Sequence, residues 1–315
     1  MRASTFAWFL LLTAAVHCPG VAQEPEPIID VHMHANGATP LPDGSPPPRL
    51  CVNDRQPCDN PPSKYQTNEA LLQGTLEYMK RFNVVRGVLS GALSELPKWK
   101  QAAPGRFVLG AGGVLGGPAH LRLDSLRAAF ERGDYAVLGE VGTQYDGVPP
   151  NDSNLGPYFA LAARLDVPVW IHTLGIGARM PRFRVAAGNP LLLEDVLKRH
   201  PCLRIYVENA GYPFLDEMVA ILYMYPNVYV DVSTITWLIP RPAFHDYLRR
   251  LVLAGFADRI MFGSDQMSWP ETIELAVQSI ESAEFLSSEQ KRDIFFNNAV
   301  RFFRWDGQAL LKESW

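Results

Sequence analysis

The sequence predicts an α/β protein folded as a (β/α)8 TIM barrel. Short apolar segments alternate with amphipathic helical segments eight times along the 315 residues, which is the pattern of parallel strands joined by crossover helices. Eight such repeats favour a closed barrel, a fold of about 250 residues, over an open sheet. An open doubly wound sheet would also need a glycine-rich phosphate loop after its first strand, and the sequence has none there.

The predicted strands are short, apolar and bounded by polar or turn residues. They cover residues 28–34, 84–89, 107–111, 136–140, 167–172, 203–209, 228–232 and 259–265. The intervening segments repeat apolar residues at helical spacing. These predicted helices cover residues 67–81, 93–103, 121–132, 155–165, 191–199, 214–225, 243–254, 271–282 and 289–303. Together the elements fill residues 23–315 as a single domain.

Residues 1–22 have the features of an export signal. Arg2 provides a positive start, residues 6–16 form an apolar stretch too short to span a bilayer, and Gly20-Val21-Ala22 offers the small residues that a signal peptidase needs. The alternative is an uncleaved anchor, and the short apolar stretch argues against it. We therefore expect a mature chain from Gln23, free of the membrane and either periplasmic or secreted.

A long connection over residues 36–66 follows the first strand and is rich in proline, glycine, asparagine and aspartate. Connections of this length in a compact domain are usually functional or disordered, and we expect this one to lie over the barrel mouth. It contains Cys51 and Cys58. An oxidising compartment favours a disulfide between them over two free thiols.

Metal-capable side chains stand at the ends of several predicted strands. His32 and His34 end the first strand and, being two residues apart, point to the same face. Two neutral imidazoles that converge on one point suit a divalent metal such as zinc. Glu140, His172 and Asp265 end the fourth, fifth and eighth strands. In a barrel these ends meet at one mouth, where the catalytic groups of this fold lie.

The chain resembles the amidohydrolase superfamily, and within it the amidohydrolase-related group, over residues 28–304. The motifs that carry the resemblance are Asp30-Val-His-Met-His34, Gly139-Glu140-Val-Gly, Ile171-His172, Asn209-Ala-Gly211 and Phe262-Gly-Ser-Asp265. The resemblance implies that His32, His34 and His172 are metal ligands. It also implies that Asp265 is both a ligand and the general base, and that Glu140 occupies the position of the bridging carboxylate of two-metal members.

One motif departs from the family pattern. Asn209 stands where the sixth strand of relatives usually carries a histidine, and an amide cannot act as a base near neutral pH. This departure favours one metal ion over two. Glu208 is adjacent, but strand alternation around an inward-facing Asn209 would turn it away from the mouth. We therefore expect no ligand from Glu208.

Substrate contacts are expected from loops that follow the barrel strands. The candidates are Asn209, Tyr212, Arg179 and Trp237. Arg182 and Arg184 lie close to Arg179, and such arginines could clamp a carboxylate or phosphate of the substrate. The alternative for the arginines is an ordinary solvated basic loop, and the aromatic residues could equally cover the barrel rim.

These observations predict a metal-dependent hydrolase in which a metal-activated water cleaves an amide, ester or lactone-type bond. The expected partner is a small-molecule substrate, and the net charge of −4 gives no reason to expect nucleic acid. A homo-oligomer is left open. Non-oxidative decarboxylation on the same site is an alternative. A second alternative, motivated by Asn209, is a metal-binding or ligand-binding protein with weakened catalysis.

Overall fold

The computed structural model describes residues 25–35, 63–112, 122–174, 181–312 and 315. Eight parallel strands alternate with helices in the order that the sequence predicts, which confirms the α/β fold. The strands are β1 (Ile28–Ala35), β2 (Val84–Gly91), β3 (Phe107–Leu109), β4 (Leu138–Val141), β5 (Val169–Ile171), β6 (Ile205–Val207), β7 (Val228–Asp231) and β8 (Ile260–Met261).

The helices pack outside the strands, mostly within a few residues of the predicted positions. They are α1 (Asn68–Arg81), α2 (Leu96–Ala102), α3 (Leu123–Arg132), α4 (Gly156–Arg164), α5 (Glu194–Arg199), α6 (Leu215–Met224), α7 (Ile235–Leu238), α8 (Arg241–Leu253), α9 (Thr272–Glu281), α10 (Ser288–Arg292), α11 (Asn298–Phe303) and α12 (Gly307–Leu310). The single-turn helices α7 and α12 were not predicted. The helix predicted over residues 289–303 is divided into α10 and α11 by a π-helical turn over Asp293–Asn297.

The strands form two parallel sheets in chain order, β1-β2-β3 and β4-β5-β6-β7-β8. Isolated contacts connect their edges. Gly110 and Val137 form a parallel bridge between the ends of β3 and β4. On the other side, the Val31 amide donates to the Phe262 carbonyl at 3.0 Å, which connects β1 to the end of β8. The strand order and both contacts are those of a barrel.

Aromatic side chains fill the space beneath the predicted mouth. Side-chain alternation on β5 places Val169 and Ile171 in the core between strands and helices, whereas Trp170 belongs to a second, inner cluster. Tyr206 of β6 stacks on Trp170 with ring centroids 5.6 Å apart, and its hydroxyl donates to the Val31 carbonyl at 3.0 Å. This packed layer supports the ends of β1, β5 and β6 from below.

Several sequence predictions fall outside the described residues. They are the export signal over residues 1–22, the pair Cys51 and Cys58, and most of the 36–66 connection. The described end of that connection contacts the segment after β8, where the Ser63 hydroxyl donates to the Ser268 carbonyl at 2.7 Å. Among the helices of the described segments, none has the length and apolar character needed to span a membrane.

Candidate metal centre

His32 and His34 converge as strand alternation predicts. Their Nε2 atoms lie 3.0 Å apart, and both side chains are buried. Each imidazole also has a polar contact at its Nδ1 atom. The Ser90 hydroxyl lies 3.0 Å from His34 Nδ1, and Asp231 Oδ2 lies 3.4 Å from His32 Nδ1. The two Nε2 atoms are thereby aimed at a common point at the end of β1.

Asp265 completes a triad with these two histidines. Its Oδ1 atom is buried 3.3 Å from His32 Nε2 and 3.1 Å from His34 Nε2, and it accepts no hydrogen bond from any described residue. Its other oxygen, Oδ2, accepts a 2.5 Å hydrogen bond from the Thr234 hydroxyl. The backbone of Asp265 is fixed as well, because its amide donates to the His32 carbonyl at 2.9 Å.

His172 and Glu140 meet beside this triad. Glu140 Oε1 lies 2.9 Å from His172 Nδ1, while Glu140 Oε2 lies 3.5 Å from His34 Nε2. The two oxygens of one carboxylate therefore face two different histidines. Glu140 reaches this position in a part of β4 where the ladder to β5 is irregular, between Leu138 and Val141. The structure thus brings all five sequence-predicted metal residues together.

Glu208 also belongs to the cluster, so the expectation that it turns away was wrong. Its Oε1 atom contacts His172 Nδ1, and its Oε2 atom accepts a 2.7 Å hydrogen bond from Trp170 Nε1. The reason is register. Strand β6 points Tyr206 inward, and Glu208, two residues on, lies on the same side. A one-residue error in the inward position reverses every side chain.

Asn209 lies in the turn after β6 and connects neighbouring turns while buried, and its predicted contact with substrate stays a prediction. It is 0% exposed and its φ is 55°. Its Nδ2 donates to the Thr173 carbonyl at 3.0 Å, and its Oδ1 accepts from the Thr234 amide at 3.0 Å. Both ends of the amide are therefore bonded to protein groups after β5 and β7.

The other predicted substrate contacts lie in different surroundings. The Trp237 ring is 4% exposed, and its indole N–H donates to the Ser264 carbonyl at 2.9 Å, so it supports the turn before Asp265. Tyr212 is half-buried and packs against Tyr247 at 5.2 Å. Arg179 lies outside the described residues. Arg182 forms an ion pair with Asp146 at the surface.

Two residues near the cluster, Asp231 and Tyr145, were not predicted. Asp231 ends β7 and is 0% exposed. Its Oδ1 accepts hydrogen bonds from the Ser233 hydroxyl at 2.6 Å and from the backbone N–H of Asn209 at 3.1 Å. A carboxylate inside an apolar strand was the signal that could have identified it. Tyr145 follows β4, and its ring centroid lies 4.3 Å from that of His172. No motif indicated Tyr145.

The protonation behaviour of the cluster follows from its charges. Burial alone lowers the pKa of His32, but the carboxylates of Asp265 and Glu208 outweigh it and raise that pKa well above its ordinary value. Burial also acts to lower the pKa of His172, but the carboxylates of Glu208 and Glu140 outweigh it and raise that pKa to about 10. Without a cation, the imidazoles of His32 and His172 therefore hold protons that balance the carboxylates.

The donor set fits a divalent cation. His32 Nε2, His34 Nε2 and Asp265 Oδ1 form one group of converging donors, and His32, Glu140 and Glu208 form another. Imidazole nitrogen and carboxylate oxygen are ordinary ligands of zinc and of other divalent metals. Asp265 Oδ1 is buried and faces both Nε2 atoms at 3.1–3.3 Å, so a cation bound between the three atoms would compensate its charge.

The sequence also matches a known protein family. Residues 29–305 match the model of the amidohydrolase family. The chain belongs to this family. It is also 23% identical over 156 residues to the protein fluG of Emericella nidulans, a match that covers 45% of this chain and 18% of fluG. The amidohydrolase chain described here therefore corresponds to a small part of that relative.

Solved structures similar to this amidohydrolase share its TIM-barrel fold. A probable 2-pyrone-4,6-dicarboxylic acid hydrolase from Acinetobacter baumannii, solved with citric acid bound, superposes with a TM-score of 0.61 at 13% identity, covering 88% of this chain and 99% of its own. A 2,6-dihydroxybenzoate decarboxylase from Rhizobium has a TM-score of 0.58 at 16% identity, covering 90% and 99%. At these identities the likeness is one of fold.

Proposed function

We propose that this amidohydrolase is a metal-dependent hydrolase that uses water to cleave an amide, ester or lactone-type bond. The observation that carries the proposal is the buried triad of His32 Nε2, His34 Nε2 and Asp265 Oδ1, which lie 3.0–3.3 Å apart at the barrel mouth. We place one divalent cation at this triad. Zinc is our first candidate because two imidazoles and a carboxylate form a common catalytic zinc site.

The residues around the triad have distinct tasks in such a reaction. A bound divalent cation lowers the pKa of water and polarises a carbonyl. Although burial acts to raise it, the pKa of Asp265 is held well below its ordinary value by His32 and His34, so its carboxylate is ionised and can accept a proton from water. The hydroxyl of Thr234 fixes the orientation of that carboxylate through its 2.5 Å hydrogen bond.

Tyr145 is a candidate to hold the substrate. Burial, with Glu140 and Glu208 adding to it, raises the pKa of the Tyr145 hydroxyl well above its ordinary value, so the group stays protonated. A protonated hydroxyl can donate a hydrogen bond to a substrate oxygen. Its ring packs on His172 at 4.3 Å, which keeps it beside the cluster.

Non-oxidative decarboxylation is the second candidate reaction. Its support is the fold likeness to the 2,6-dihydroxybenzoate decarboxylase, which covers 90% of this chain. The two solved relatives are named for carboxylated compounds. We therefore propose an acidic small molecule as the substrate class for either reaction.

The test is an assay of metal-loaded protein with 2-pyrone-4,6-dicarboxylate, simple aryl esters and 2,6-dihydroxybenzoate. Hydrolysis releases protons that a pH-stat measures, whereas decarboxylation releases carbon dioxide into the headspace. We expect proton release that falls by about 100- to 10,000-fold in Asp265→Asn. The exposed Asp246 of α8 provides the matched control, Asp246→Asn.

Each outcome of this assay decides between the candidates. Proton release that persists unchanged in Asp265→Asn contradicts the proposed role of Asp265. Carbon dioxide release from the benzoate replaces the hydrolase with the decarboxylase. If metal-loaded protein turns over none of these compounds, the result supports the alternative of a metal-binding or ligand-binding protein with weakened catalysis.

We also propose that the chain is exported to the periplasm or secreted. The support is the composition of residues 1–22, which lie outside the described structure. Mass spectrometry of the protein recovered from periplasm or medium should find a mature N-terminus at Gln23. Recovery of the unprocessed chain from the cytoplasm would contradict export.

A further inference from the structure

The first and last strands of the barrel meet beside the metal triad, but β8 is too short to pair with the end of β1. Strand β8 ends at Met261, whereas β1 continues to Ala35, so His34 lies beyond the end of β8. The chain after β8 leaves the extended conformation, because Asp265 and Met267 have φ angles of 48° and 36°, in the left-handed region. The ligands on the two sides therefore need another means of alignment.

The side chain of Gln266 takes the place of a strand at His34. Its Oε1 accepts from the His34 backbone N–H at 2.9 Å, and its Nε2 donates to the His34 carbonyl at 2.6 Å. Two residues that exchange both N–H···O bonds form the repeating unit of an antiparallel ladder, and here one primary amide supplies both partners. Gln266 is 0% exposed, so both bonds are removed from water.

Asp30 makes the reciprocal contact from β1 to the chain after β8. Its Oδ1 accepts from the Ser264 backbone N–H at 3.0 Å. Between the contacts of Asp30 and Gln266, the Asp265 amide donates to the His32 carbonyl at 2.9 Å. Side chains from both sides therefore enclose the backbone positions that carry the triad.

We propose that Gln266 is a positioning residue that fixes His34 relative to Asp265 and thereby sets the affinity and geometry of the metal triad. This inference rests on the metal site of the proposed function. Ser90 Oγ lies 3.0 Å from His34 Nδ1 on the β2 side, and Gln266 fixes the backbone of the same histidine on the β8 side. Loss of a contact that orients a metal ligand typically weakens metal binding by about 10- to 100-fold.

The place of Gln266 in the chain makes its effect specific to one edge of the triad. It directly follows Asp265, and its own carbonyl accepts from the Trp269 amide at 2.6 Å, which fixes the turn. A change of its side chain should therefore alter the distance between His34 Nε2 and Asp265 Oδ1, which is 3.1 Å. His32 should move less, because its carbonyl is bonded directly to the Asp265 amide.

The test is a titration of the metal-free full chain with Co²⁺, comparing unmodified protein with Gln266→Met. Methionine has a similar length, but its thioether cannot donate and accepts only weakly. We expect about 10- to 100-fold weaker binding of Co²⁺. The visible absorption spectrum of the variant saturated with Co²⁺ should also change, because these bands depend on ligand geometry. Gln73→Met, at an exposed position of α1, is the matched control and should resemble unmodified protein in both measurements.

Gln266→Asn provides a second variant if Gln266→Met does not fold. It keeps a polar amide, but the side chain is one methylene too short to reach both backbone atoms of His34, so the same direction of change is expected. If the affinity for Co²⁺ and the spectrum at saturation are both unchanged while only the melting temperature falls, Gln266 has a purely structural role. That result would overturn the inference and leave the metal site intact.

Hydrogen exchange at the His34 amide, measured in metal-free protein, gives a readout that does not depend on a bound metal. Faster exchange in Gln266→Met than in Gln73→Met supports the contact between Gln266 and His34. Equal exchange in the two variants would overturn the inference. Unmodified protein that binds no Co²⁺ would overturn the proposed function as well, which distinguishes the two failures.

Discussion

The side chain of Asn209 has a structural role that the family motif does not indicate. Its amide connects the turns after β5, β6 and β7 through Thr173, Ser233 and Thr234. Thr234 in turn donates to Asp265. Asn209 therefore positions the proposed base through an intermediate residue, and its lack of basicity says little about whether the protein is active.

This role leads to a prediction for Asn209→His, the change that would restore the family motif. A larger imidazole in a site of 0% exposure cannot reproduce both amide contacts. We expect it to lower the free energy of unfolding by about 2–4 kcal/mol and to add no activity. Chemical denaturation measures the change, with Asn154→His at an exposed position as the control. A gain of turnover would instead favour the weakened-enzyme hypothesis.

A second residue-scale prediction concerns the protons on the histidines. The pKa of His172 is raised to about 10, chiefly by Glu208 and Glu140 against the opposing effect of burial. In metal-free protein it is therefore protonated at pH 8, and a cation can bind Nδ1 only when the proton leaves. Metal binding should release protons, and metal affinity should rise with pH.

Calorimetry at pH 8 in two buffers of different ionisation enthalpy measures this release. The apparent binding enthalpy should depend on the buffer, and less so in His172→Ala. His200→Ala provides the control and should keep the full dependence on buffer. Burial and Arg199 lower the pKa of His200 below its ordinary value, so this histidine is neutral at pH 8 and has no proton to release. Identical enthalpies in both buffers would contradict the protonation scheme.

At the scale of elements, β1 and β6 explain why one part of the site was predictable and the other was not. Alternation identified His32 and His34 correctly, because both lie within β1, an eight-residue strand. β6 contains only Ile205–Val207, so Glu208 and Asn209 follow its last residue. Which of them faces inward depends on a single residue of register, and the family motif indicated the wrong one.

The close approach of β4 and β5 gives an element-scale prediction. A Cβ on Gly139 would lie 2.4 Å from Trp170 Cβ, so Gly139→Ala must push apart the strands that carry Glu140 and His172. We expect a loss of about 1–3 kcal/mol of stability together with weaker metal binding. In Gly156→Ala, the new Cβ would have no heavy atom within 4 Å, so both properties should stay near their original values. Thermal melting and metal titration of the two variants test this, and equal behaviour would refute the packing argument.

At the scale of the whole molecule, the repeat of strands and helices was sufficient to predict the barrel. Each strand needs only a short apolar run, and the alternation repeats eight times, so local errors do not change the fold. Asp231 shows the limit of the same method. Its carboxylate at the end of an apolar strand marks it in the sequence, but its role is seen in the structure, where Oδ2 lies 3.4 Å from His32 Nδ1.

The same architecture predicts how metal affects global stability. His32 and His34 lie on β1 and Asp265 follows β8, so a cation bound at the triad connects the first strand to the last. A ligand that binds only the folded state stabilises it by about 2.7 kcal/mol at 100 times its dissociation constant. Removal of metal by a chelator should therefore lower the melting temperature by roughly 5–10 °C.

Variants separate this linkage from a general effect of the chelator. Asp265→Asn should melt at nearly the same temperature with and without chelator, because it has lost a ligand of the triad. Asp246→Asn should retain the full difference, since Asp246 is exposed on α8. If the unmodified protein melts identically in both conditions, the cluster does not bind metal strongly in the folded state. The buried carboxylates would then be balanced by protons on His32 and His172, whose raised pKa values allow it.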